Sequence, residues 1–229
     1  MDGEFATDTD PTARWSLVVP LKPLRLAKSR LAASAGETLR PRLALAFAQD
    51  TVAAALACAA VRDVVVVTDD PTAAEELTAL GARVVPDAPG GGLNAALAHG
   101  VRTVRASRPQ AAVAALNADL PALRPRELGR VLAAAASFRR AFLADAAEIG
   151  TTLLAAAPGT ELNPAFGGPS RQRHLLSGAV EIGLAGVDSV RRDVDTGDDL
   201  TAAAELGLGR FTASRYTGYG RPAARPSGL

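Results

Sequence analysis

Short apolar runs that alternate with helix-length segments constrain this chain more than any other feature. SLVVPL (16–21), VVVVT (64–68), ARVVP (82–86) and AAVAAL (111–116) have the length and residue types of strands. VVVVT has no polar face, as befits a strand covered on both sides. Between these runs lie segments with helical spacing: 37–60 with Pro41 near its start, 71–80 stopped by Gly81, 93–107 and 125–136. This order predicts a mostly parallel sheet with helices on both faces. After residue 137 the rhythm breaks, and RAFLADA and TTLLAAA follow one another as strands with no helix between them. The reading is a single α/β domain over 15–212, with loose tails over 1–14 and 213–229. A chain of 229 residues suffices for one such core.

Composition removes several function classes. A net charge of +1 gives no general field for nucleic acid or a membrane surface, so any anion must be held by local groups. No apolar run approaches the roughly 20 residues of a membrane span, and the acidic start lacks the apolar core of a signal peptide. Cys58 is the only cysteine and reads as a small packing residue of an Ala-rich helix, which excludes a disulfide framework and a thiolate zinc site. The expectation is a cytoplasmic, reduced protein with neither nucleic acid nor membrane as partner.

In a sheet of this kind, ligands sit in the crevice outside the carboxyl ends of the strands. The loop after the first strand carries Lys22, Arg25, Lys28 and Arg30 with no acid until Glu37, and such a loop can clamp a polyphosphate. It lacks the glycines of a Walker loop. After the third strand, PDAPGGGLNAAL formally satisfies G-x-G-x-x-A at Gly90, Gly92 and Ala95, so a dinucleotide-binding module is one alternative. PDAP, however, separates the motif from its strand. The other reading is that the glycines admit a ligand to the backbone while Asn94 offers donor and acceptor to a base edge.

The carboxylates carry the chemistry. Asp119 follows the fourth strand in LNADLPAL. In RRDVDTGDDL, Asp193 and Asp195 lie two apart at the end of VDSVRRDVD, which reads as a strand and would turn both to one side. Such a pair repels unless a cation intervenes, and Arg191 and Arg192 could partly offset the repulsion. A calcium loop is excluded, since Gly197 falls one place early and Ala204 stands where Glu is needed. Asp198 or Asp199 reads as the cap of a helix over 200–206. Three oxygen ligands from Asp119, Asp193 and Asp195 suit Mg²⁺. In LNPAFGGPSRQRHLL, Ser170 reads as an N-cap whose helix start could bind an anion, with charge added by Arg171, Arg173 and His174. His99 reads as a surface or packing residue.

With VVPLKPLRLAKSRLA, GGGLNAAL, NADLPAL, EIGTTLL, LNPAFGGPS and RRDVDTGDDL in this order, the chain resembles the phosphoenolpyruvate or 2-phospho-L-lactate guanylyltransferases of coenzyme F(420) biosynthesis over roughly residues 15–210. The resemblance implies a single-domain nucleotidyltransferase (glycosyltransferase-A, Rossmann-like) fold. It implies Mg²⁺ on Asp119, Asp193 and Asp195, the acid at Thr151 (or its neighbour Thr152), Gly167 and Ser170, and GTP at Lys22, Lys28, Arg30, Gly92 and Asn94. It further implies hand-over of the product to the next enzyme of the pathway. The acceptor stays open between the two acids, with the Ala- and Arg-rich composition of a high-GC bacterium favouring phosphoenolpyruvate. Rival readings are a pterin or sugar phosphate acceptor and the non-catalytic dinucleotide module. A phosphate monoester is already mostly dianionic at pH 7, so attack on the α-phosphorus of GTP needs no general base.

Overall fold

The computed structural model describes residues 14–28, 31–88 and 90–216. The strands are β1 (Trp15–Pro20), β2 (Val61–Val67), β3 (Arg83–Val85), β4 (Val113–Leu116), β5 (Arg140–Ala144), β6 (Thr151–Ala156) and β7 (Val180–Glu181). They form one sheet in the order β3-β2-β1-β4-β6-β5-β7. Only β6 is reversed, pairing antiparallel with β4 and with β5. Hence the start of β6, at Thr151, lies at the same edge of the sheet as the ends of β1, β4 and β5. The broken rhythm after residue 137 therefore brings a further segment to the crevice.

The helices are α1 (Ala32–Leu56), α2 (Pro71–Ala79), α3 (Leu93–Ser107), α4 (Pro125–Ala135), α5 (Ser170–Leu176), α6 (Asp188–Arg191), α7 (Gly197–Leu206) and α8 (Arg210–Tyr216). One apolar layer joins β1, β2 and β4 to α1, α2 and α4, and a second joins the opposite sheet face to α3. The last four β2 residues, Val64–Val67, are all buried, which explains their lack of a polar face. Gly100 lets α3 lie close on the sheet, because a Cβ there would collide with the side chains of Val18 and Val67. No helix among the described residues is long and apolar enough to cross a membrane.

Four elements differ from expectation. Helix α1 starts at Ala32, so Pro41 lies inside it. Buried Leu31 anchors that extra length in a cluster with Leu43, Phe47 and Val194. Segment 188–191 is helical, not a strand. Thr196, not Asp198 or Asp199, caps α7: its hydroxyl accepts from the Asp199 N–H, and the Asp199 carboxylate accepts from the Thr196 N–H at 2.8 Å. Finally, α8 continues to Tyr216, past the boundary expected at 212. Asp50 of α1 holds its start by accepting from the N–H groups of Phe211 (3.0 Å) and Thr212 (2.7 Å).

Candidate active site

A cleft of about 660 Å³ opens at the carboxyl edge of the sheet. Its lining includes Lys22, Lys28, Asp119, Thr151, Gly167, Ser170, Asp193 and Asp195. Chain geometry explains the convergence. Asp70 caps α2 by accepting from the Ala73 N–H (3.0 Å) and also accepts from the Leu24 N–H (2.8 Å), pinning the basic loop at its middle. The Arg40 guanidinium donates to the Ala27 carbonyl (2.5 Å) and fixes the same loop further on. Lys28 follows in a left-handed conformation, φ 55°, which is costly for a residue with a Cβ.

Asp193 and Asp195 reach Asp119 without a strand. The Val194 N–H donates to the Asp119 carbonyl at 3.0 Å, and the Val194 side chain is buried, so its two neighbours are set beside Asp119. The Lys28 ammonium pairs with the Asp119 carboxylate and, at 2.7 Å, with that of Asp195. Burial works against the charge on Lys28, but Asp119 and then Asp195 outweigh it and hold its pKa above the ordinary lysine value. Asp193 is pushed well above the usual carboxylate range, first by burial and then by the charges of Asp119 and Asp195. Arg191 does not offset this repulsion. Its guanidinium donates to the carbonyls of Ala144 (2.9 Å) and Ile182 (3.2 Å), and Lys28 is the cation that faces the carboxylates.

These residues suit a hard divalent cation. Asp119 Oδ1 is buried without a hydrogen-bond partner among the described residues, and Asp193 is short of positive charge. Among the described residues, however, no three His, Cys, Asp or Glu side chains are grouped to hold an ion as they stand. The ammonium of Lys28 lies against two of the carboxylates instead. Asp145, which the sequence reading passed over, also lines the cleft and accepts from the N–H groups of Ile149 (3.0 Å) and Gly150 (2.8 Å).

The opposite wall holds Thr151, Gly167 and Ser170. Thr151 faces the cleft, whereas Thr152, the next residue along the strand, is fully buried and does not line it. Gly167 (φ 95°) and Gly168 (φ 47°) both lie in the left-handed region, and the turn they make needs glycine. Ser170 is the first residue of α5, not its cap, a place taken by Pro169. The N–H of Ser170 is already given to the Gly168 carbonyl (2.8 Å) and that of Arg171 to the Ile149 carbonyl (3.1 Å). The Thr151 and Ser170 side chains and the Gly167–Gly168 backbone are what this wall brings to the cleft. Arg171 is paired with Glu181, at 2.9 Å, and His174 is fully buried, so neither adds charge to the cleft as expected.

Two expected GTP contacts stand apart from the cleft lining. Asn94 Oδ1 accepts from the Phe166 N–H at 2.8 Å, and its Nδ2 donates to the Phe166 carbonyl at 3.2 Å. One donor and one acceptor of the amide thus hold the 163–168 loop, a structural role that the sequence does not announce. Gly92, with φ 86°, serves as the N-cap of α3. The G-x-G-x-x-A match follows the outermost strand β3 and contributes only Leu93 to the cleft. Arg30 lies outside the described residues.

Comparison with known proteins agrees with this geometry. Residues 43–182 match the MobA-like NTP transferase domain. A phosphoenolpyruvate guanylyltransferase of Streptomyces avermitilis is 72% identical over 201 residues, covering 88% of this chain and 93% of that protein. One from Thermomonospora curvata is 62% identical, covering 91% of each. A nucleotidyl transferase from Methanothermobacter shares the fold with a TM-score of 0.61 at 24% identity, covering 84% of this chain and 97% of that one.

Proposed function

The chain belongs to the phosphoenolpyruvate guanylyltransferases, within the MobA-like NTP transferases, and we propose how its cleft performs their reaction. The protein is a guanylyltransferase that moves GMP from GTP to phosphoenolpyruvate. A phosphate oxygen of the acid bonds to the α-phosphorus of GTP while the bond to the β-phosphate breaks, and pyrophosphate leaves. The product is enolpyruvoyl-2-diphospho-5'-guanosine, which is passed to the next enzyme of coenzyme F(420) biosynthesis. This work falls in the cytoplasm.

One observation carries the reading: a single cleft joins a cationic lip, a group of carboxylates and a wall of hydroxyl and glycine backbone. Lys22 and Lys28 bring positive charge to the departing pyrophosphate. Thr151, Gly167 and Ser170 hold the acid through neutral donors, so the carboxylate and phosphate bind without a titrating side chain. The acceptor phosphate arrives already ionised, which leaves the side chains the tasks of alignment and charge neutralisation. Asp119, Asp193 and Asp195 would hold Mg²⁺, which when bound supplies charge neutralisation at the reacting phosphates. The unpartnered Asp119 oxygen and the raised Asp193 carboxyl support that assignment.

Pyrophosphate release tests the proposal. GTP and MgCl₂ are offered with phosphoenolpyruvate, 2-phospho-L-lactate, a sugar phosphate or a pterin phosphate. Phosphoenolpyruvate should give the highest kcat/KM, and a chelator should abolish turnover. Faster release with another acceptor would reassign the acid, and turnover in excess chelator would remove the metal.

A further inference from the structure

The imidazole of His174 is fully buried behind the acid wall, and each ring nitrogen has a partner. Nε2 lies 3.1 Å from the backbone N of Ala165, and Nδ1 lies 2.9 Å from the Thr151 hydroxyl. A backbone N–H can only donate, so Nε2 must present its lone pair. A neutral ring then carries its proton on Nδ1, and that proton can go only to Thr151 Oγ1. We propose that His174 is a positioning residue for acid binding: by donating to Thr151 it turns the threonine's own proton into the cleft, toward the anionic acceptor. The inference rests on the reading of Thr151 as an acid contact.

The surroundings favour this neutral tautomer. Phe142 of β5 and Phe166 of the adjacent loop pack on the ring, at centroid distances of 5.6 and 5.2 Å. The charged groups that face it are both cations, Arg140 from β5 and Arg173 from α5 itself. A protonated ring would set a second N–H against that of Ala165. Burial, followed by the charges of Arg140 and Arg173, accordingly lowers the pKa to about 4. The same ring ties together the start of β6, the loop that leads to Gly167, and the helix that carries Ser170. A hydroxyl free to rotate can present either a lone pair or a proton to an anion. One that accepts from His174 cannot spend its proton on the ring, and that proton is left for the cleft.

The test has a spectroscopic arm and a kinetic arm. The chain contains only His99 and His174, so ¹⁵N-histidine NMR with a His99→Gln control assigns both rings. We expect His174 to hold the Nδ1–H tautomer at pH 7 and at pH 5.5, and an Nε2–H tautomer or a charged ring would overturn the inference. In steady state, Thr151→Val and His174→Leu should each raise KM for phosphoenolpyruvate about tenfold, with little change in KM for GTP. The double variant should be no worse than either single one, since both remove the same directed proton. His174→Asn, which keeps a donor near Nδ1, should lie closer to wild type than His174→Leu. It also serves as the folded variant if the leucine substitution does not fold. An unmoved phosphoenolpyruvate KM in Thr151→Val overturns the acid contact itself and this inference with it. If Thr151→Val acts but the losses add in the double variant, the acid contact stands and the role of His174 is overturned.

Discussion

Replacing Asn94 by alanine separates two accounts of one residue. In the structure its amide makes two hydrogen bonds to the backbone of Phe166, at 2.8 and 3.2 Å, and Gly167 and Gly168 follow directly. Each such bond contributes about 1 kcal/mol net, so Asn94→Ala should release about 2 kcal/mol of loop order. If that order is recovered on binding the acid, affinity for phosphoenolpyruvate should fall about 30-fold. GTP should be affected far less, since Asn94 does not line the cleft and its amide holds the loop of the acid wall. The assay is pyrophosphate release with one substrate varied at saturation of the other. Asn94→Asp should fall between, because it keeps the acceptor for the Phe166 N–H while setting a carboxylate against the Phe166 carbonyl. A large rise in KM for GTP with phosphoenolpyruvate unmoved would refute the reasoning and return Asn94 to base recognition.

Stability should depend on pH through His174. Its folded pKa, about 4, lies below the ordinary 6.5, so the unfolded chain takes up the proton first. The contribution is whole above pH 6.5 and is lost as pH falls toward 4, a total of about 3 kcal/mol. Urea unfolding from pH 7.5 to 4.5 should show it, and a His174→Asn variant with the same slope would contradict it. Gly100→Ala should destabilise by about 1–3 kcal/mol through overpacking against Val18 and Val67, lowering Tm by several degrees. An unchanged Tm would mean that α3 moves away freely. Asp50→Ala should lose about 2 kcal/mol in urea unfolding with kcat retained, because it frees two N–H groups at the start of α8, which does not line the cleft.

What was legible in the sequence follows the range of the interactions. VVVVT and AAVAAL announced buried strands because their surroundings act on every residue of the run. Asp119 and the basic loop were legible as residue types at strand ends, and Asp193 and Asp195 as a pair of carboxylates two apart, though no strand precedes them. The helix at 188–191 has a signal in the sequence: Val187, Val190 and Val194, all buried, are spaced by three and four, a helical rather than a strand period. The local motif permits Ser170 as a cap, but Pro169 takes that position. The partners of Asn94, Lys28 and His174 could not be read locally. Asn94 meets Phe166 across 72 positions, Lys28 meets Asp119 across 91, and His174 meets Thr151 across 23. No short-range pattern encodes such pairs. The reversed strand β6 was hidden as well, since strand direction depends on the path of the chain between strands.

Phosphorus NMR of the products tests the central claim most directly. Equimolar GTP and phosphoenolpyruvate are incubated with MgCl₂ and the purified protein, alongside Asp193→Ala. The account predicts free pyrophosphate together with a pair of mutually coupled phosphorus signals, one from the α-phosphate of GTP and one from the acid. Asp193→Ala should stay folded and give neither. GDP and inorganic phosphate beside unaltered acid, or the same coupled pair from Asp193→Ala at wild-type rate, would contradict it.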